Sequence, residues 1–226
     1  MMSADTFTFL IYSGTILGMM LSLPLIFGRR GPSAVLLGVY NLVVTIAFME
    51  PVVRSFPSLI ATIGEIFIAT SALMLGPCLY LYVRHRINGS QKWDKSNALH
   101  FIPAIIMMTL TIAGQFIPDS PGNETVDVLA YAFFVMSLMM YSVEALLMIL
   151  RKRNKDRVKY PQKIQFVFLL LLVITSLSLF GFSTLYTSMG FVLTQSFIIT
   201  IQVMLFLIIA GIALLNPELA EKHKWS

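Results

Sequence analysis

Charge is what this chain is shortest of. Lysine, arginine, aspartate and glutamate make up only 12% of its 226 residues, against roughly 25% in a soluble globular domain. That leaves too little polar side chain to cover a surface facing water. With 57% of residues hydrophobic and a mean hydropathy of +0.82, the solvent this composition calls for is lipid. Cysteine is nearly absent. Cys78 stands alone inside an apolar run, so it has no partner in the chain for a disulfide and reveals nothing about redox compartment. Its ordinary reading is a small buried hydrophobe. The three histidines, His85, His100 and His223, are not spaced with another histidine, cysteine or carboxylate as a metal site requires. There is no Gly-x-Ser-x-Gly, no glycine loop to cradle a phosphate and no converging set of acid, base and nucleophile. These absences point away from an enzyme and imply no cofactor. Lysine is missing from the last apolar run, which argues against a retinal protein, whose Schiff base needs an intramembrane lysine. The N-terminal run is not a cleaved signal peptide: Asp5 stands where a basic region belongs, and Arg29-Arg30 follow the run instead of preceding it.

What the chain has is apolar length. A helix needs about 20 residues to cross the hydrocarbon core. Seven segments qualify, at residues 7–27, 34–53, 59–83, 99–117, 126–150, 164–186 and 191–215. The expected fold is therefore all-α: one polytopic domain of seven transmembrane helices covering residues 1–226. Of the 16 lysines and arginines, all but Arg54 fall in the first, third and fifth connections or the tail, while Asp5, Asp119, Glu124 and Asp127 lie on the other side. The positive-inside rule then puts the N-terminus outside and the C-terminus in the cytoplasm. The net charge of +5 is mostly this topology signal, with anionic lipid as a natural counterpart. The basic run 151–163 is read the same way, so direct contact with nucleic acid is not expected.

Ionisable residues inside or beside the spans are functional candidates because lipid makes them costly. Glu50 and Arg54 are four apart near the outer end of span two, and Glu65 lies about two turns into span three from the same side. Together they form a candidate ligand-binding or proton-sensing cluster. The competing reading is an interfacial ion pair, with Pro51 disturbing its geometry. Asn41 in span two, and Gln195 and Gln202 on one face of span seven, either line a small-molecule pocket or bond between helices.

The stretch Gly76–Arg84, "GPCLYLYVR", is followed by a short polar connection and then "ALHFIPA" at Ala98–Ala104. This compound pattern resembles the seven-span N-terminal membrane domain of bacterial AraC-type transcriptional regulators. In that family span three reads Gly-Pro-x-x-Tyr-x-Tyr-x-Arg/Lys and span four opens Leu-x-His-Phe-x-Pro. The matching positions here are Gly76, Pro77, Tyr80, Arg84, His100 and Pro103. "LLNPELAEKH" at 214–223 looks like the family's exit towards its DNA-binding domain, but no helix-turn-helix pattern follows. The resemblance implies a non-enzymatic sensor in the bacterial inner membrane. A cue outside or within the membrane, lipophilic or a small molecule, shifts the packing of the spans. The shift reaches a cytoplasmic DNA-binding part or partner protein, and a homodimer is the usual acting form. Pro77 is expected to serve as a hinge. The alternative from another class is a small transporter or the accessory subunit of a membrane complex.

Overall fold

In a computed structural model the chain is described at residues 4–28, 31–47, 49, 53, 56–88, 93–115, 122–155, 168–174 and 212. The described residues are helical, with no strand among them. In chain order the elements are α1 (Ala4–Phe27), α2 (Pro32–Ala47), α3 (Ser58–Ala72), α4 (Leu75–Asn88), a single turn α5 (Lys95–Ala98), a 3-10 turn at Leu99–Phe101, α6 (Ile102–Gln115) and α7 (Gly122–Lys155). Residues 168–174 and Ile212 are helical too. Among the described residues two helical stretches, Thr62–Asn88 (27 residues, α3 and α4 taken together) and Ala132–Lys152 (21 residues, within α7), are long and apolar enough to cross a membrane. Tyr12–Phe27 and Pro32–Ala47 are apolar but shorter.

Local chemistry explains most boundaries. Gly31 sits at a φ of 97°, a left-handed conformation that L side chains avoid, and its carbonyl accepts from Ala34 at 3.1 Å to start α2. Pro32 then occupies the first helical position, where its missing N–H costs nothing. Pro103 enters α6 in the same way, one residue inside its start. Asp94 caps α5: its carboxylate accepts from the Ser96 backbone at 3.4 Å and from the Ser96 hydroxyl at 2.7 Å.

Span three departs from a single straight helix. It breaks at Leu73–Met74 and runs on to Asn88, five residues beyond its expected end. The break is a consequence of Pro77. Proline has no N–H to give the carbonyl four residues back, which is Leu73, and its ring crowds that same carbonyl. The chain tightens there instead, with Leu73 N–H bonding Thr70 at 3.3 Å and Met74 N–H bonding Ser71 at 2.9 Å. Just before the break, the Thr70 and Ser71 hydroxyls fold back onto Ile66 and Ile68 carbonyls at 2.7 and 3.0 Å, a pattern that bends helices. The regular ladder resumes with Cys78 N–H to Met74 at 3.0 Å. Pro77 thus lies in the first turn of a new helix and escapes the roughly 3 kcal/mol cost of a helix interior.

α4 is the centre of the bundle. It packs on α2 along one flank and α7 along another, and nearly every side chain from Leu75 to Ile87 is buried. α1 pairs with α2, α3 with α2 and α6, and α6 with α7. Leu138, Ser142, Ala145 and Ile149 form the buried stripe of α7, while Phe168, Leu169, Leu172 and Val173 close the core from the other side of Tyr82. The outer faces of α1, α6 and α7 are apolar and open: Ile16, Met20, Ile105, Leu110, Met136 and Met140 are each more than half or nearly half exposed. Polar groups lie inside instead, with Ser22, Asn41, Thr45, Thr70, Asn97 and Ser142 all buried.

Candidate functional site

The α4 sequence places Gly76 and Tyr80 four residues apart, and hence on one helical face. That face meets α7. A Cβ built on Gly76 would stand 2.8 Å from the Tyr141 ring and 3.1 Å from the Ser137 carbonyl oxygen, so only glycine permits this approach. One turn on, the rings of Tyr80 and Tyr141 lie 5.6 Å apart. Because Gly76 meets Ser137 and Tyr80 meets Tyr141, the two helices run in the same direction. The 3-10 turn brings in the third member: His100 Nδ1 and Tyr141 Oη share a hydrogen bond at 3.1 Å, and the His100 ring packs against Tyr80 at 5.3 Å and Tyr141 at 5.6 Å. Three rings from three elements therefore form one half-buried cluster immediately below the helix break.

A second histidine pins the connection from the α4 side. The buried Asn97 amide donates to His85 Nε2 at 3.3 Å, and the exposed Trp93 ring lies nearly parallel to the His85 ring, 14° off, at 6.4 Å. Residues 93–101 are thereby held at two points, to α4 through His85 and to α7 through His100. Between them Asp94 faces water, and the Ser96 hydroxyl donating to it, helped by the Ser96 backbone, holds its carboxyl below the usual carboxylate range.

Of the positions singled out in the sequence, Gly76, Pro77, Tyr80 and His100 come together at this joint. Arg84 follows one turn beyond Tyr80 and is half-buried, and Pro103 lies exposed at the start of α6. Asn41 belongs elsewhere. It is buried between α1 and α2, where its amide donates to the Ser22 hydroxyl at 2.7 Å and to the Gly18 carbonyl at 3.2 Å. There it links α2 to α1. Glu65 falls on α3, but its side chain, with Glu50, Arg54, Gln195 and Gln202, lies outside the described residues. Tyr141, His85, Asn97 and Trp93 were missed. Tyr141 carries no signal in an apolar run beyond being a tyrosine, and the His85–Asn97 bond spans a turn whose path the sequence does not specify.

Among the described residues no group of three histidine, cysteine or acidic side chains is placed to hold a metal ion. Compared with protein-family models, with curated proteins and with solved structures, the chain matches none.

Proposed function

We propose that this chain is a seven-span sensory domain of a bacterial one-component transcriptional regulator, seated in the inner membrane with its N-terminus outside. The observation that carries this reading is the meeting of Gly76, Tyr80 and His100 at Tyr141. These residues come from two separate stretches of the AraC-type pattern, and a shared contact gives that pattern a physical reason. The membrane part of the reading is supported by polarity turned inside out. Buried Asn41, Ser22 and Thr45 with exposed Ile105, Met136 and Met140 suit a lipid solvent and not water. In lipid the hydrophobic effect does not press helices together, so close packing and interhelical hydrogen bonds must do so. Such contacts are small and exchangeable, which suits a domain that re-sorts its helices when a cue binds. The cue acts outside or within the membrane, and the change in packing passes to a cytoplasmic DNA-binding part or partner protein.

The test is genetic. Deleting the gene should alter transcription of a limited set of genes. A Pro77→Ala protein that inserts at wild-type level should fail to restore them fully. Full restoration by Pro77→Ala, together with solute flux in proteoliposomes that Glu65→Gln abolishes, would replace this reading with a transporter.

A further inference from the structure

The exposed apolar faces of α1 and α6 need no occupant but lipid, and the basic groups near the ends of α4 and α7 are what any positive-inside topology provides. The aromatic cluster differs, because it joins parts with unequal freedom to move. We infer that Tyr80, His100 and Tyr141 form a latch holding α7 against a body made of α4 and residues 93–101, and that its release lets α7 shift while α4 stays seated on α2. The inference deepens the sensory reading and rests on it only for the use to which the motion is put.

Three features carry it. First, the helix is interrupted between α3 and α4, where the backbone from Ala72 to Leu75 is held by three-residue bonds and Pro77 leaves the Leu73 carbonyl without its helical donor. Second, the α4–α7 contact at Gly76 sets the α4 backbone against the Tyr141 ring and the Ser137 carbonyl, so Tyr141 is both the latch residue and the side chain that covers the glycine. Third, the two histidines divide the connection unequally. His85 ties Asn97 and Trp93 to α4 in a buried site, whereas the His100–Tyr141 bond lies in a half-buried one. When one link yields it is the second, so residues 93–101 stay with α4 and the gap opens along α7. Ser142, the residue after Tyr141, adds no restraint. Its hydroxyl is buried in the α7 stripe with no hydrogen-bond partner among the described residues.

That serine also supplies the reporter. Ser142→Cys changes little in volume and removes no hydrogen bond, and in a Cys78→Ala background it is the one thiol in the chain. Ala145→Cys, three residues further along the same buried stripe, is a second reporter. The protein is reconstituted in lipid nanodiscs and the rate of alkylation by N-ethylmaleimide is followed. Adding Tyr141→Phe, which deletes only the hydroxyl, should speed labelling at position 142 roughly three- to tenfold, the shift expected from one lost hydrogen bond. His100→Phe should do the same, and the double variant should match either single one because both cut the same bond. Native Cys78 is about 200° around α4 from Gly76, away from α7, and in otherwise wild-type protein carrying Tyr141→Phe its labelling should not change. Unchanged labelling at both 142 and 145, or an equal rise at Cys78, overturns the latch, the second by showing general loosening. A failed latch leaves the transcriptional test untouched, and a chain that proves to carry solute can still have a latch.

Discussion

The α1–α2 seam and the α4–α7 joint are both close helix crossings built on glycine, and they are closed in opposite ways. In the first, a Cβ on Gly18 would collide with Thr45, and one on Gly38 would come within 2.7 Å of Ile26 and 2.9 Å of Leu25. Asn41 then bonds across to Ser22 and the Gly18 carbonyl, and Ser22 and Thr45 each donate to their own helix backbone. Every one of these bonds ends on a short, buried group. In the second, the glycine faces a ring, the polar link joins a histidine and a tyrosine at the tips of long side chains, and a helix break lies next to it. Saturation with short groups fixes a crossing; aromatic tips beside a proline-induced break leave it adjustable.

The largest effect expected from this contrast is at Gly38. Gly38→Leu must push α1 off α2 against a backbone nitrogen as well as side chains, and should cost about 3 kcal/mol, read as unfolding in mixed micelles. It should leave labelling at Ser142→Cys nearly unchanged in the protein that remains folded. Gly76→Ala should cost less, about 1–2 kcal/mol, because the Tyr141 ring can yield although the Ser137 carbonyl cannot. Its signature is the reverse: a modest loss of stability with a large gain in labelling. Asn41→Ala should cost about 1 kcal/mol, the worth of one or two interhelical hydrogen bonds in a membrane, again without opening the α7 stripe. Smallest is Asp94→Ala, which removes the α5 cap and should loosen only residues 93–101, seen as faster hydrogen exchange there. Because the Asp94 carboxyl is held below its usual range, its contribution is full above the ordinary aspartate pKa of about 3.9 and disappears as pH falls through the lowered folded value. The alanine variant should lose that pH dependence.

Much of this architecture can be read from residues, though not the part that joins helices. The first five apolar runs fall on α1, α2, α3 with α4, α6 and α7, whereas the runs at 164–186 and 191–215 lie, apart from 168–174 and Ile212, outside the described residues; the polar turn α5 was not foreseen, and Pro77 announced an interruption. The interruption falls at Leu73–Met74 because proline acts on the carbonyl four residues behind it, an offset that geometry alone supplies. Asn41 was open between pocket lining and interhelical bonding, and it forms a hydrogen bond to a partner nineteen residues away that the sequence could not name. Tyr141 could not be found in advance. Its contact with His100 spans 41 residues and depends on how α6 and α7 pack. The motif residues Gly76, Tyr80 and His100 were noticed for their pattern, and their common partner was not part of that pattern.

The account stands on a chain threaded repeatedly through a membrane with its basic connections inside, and reporter fusions along the chain test this directly. Green fluorescent protein should be fluorescent when fused after Arg30, Lys92 or Lys155, and alkaline phosphatase should be active when fused after Ser55 or Asp119. Active phosphatase after Lys92, or fluorescence after Asp119, would contradict it.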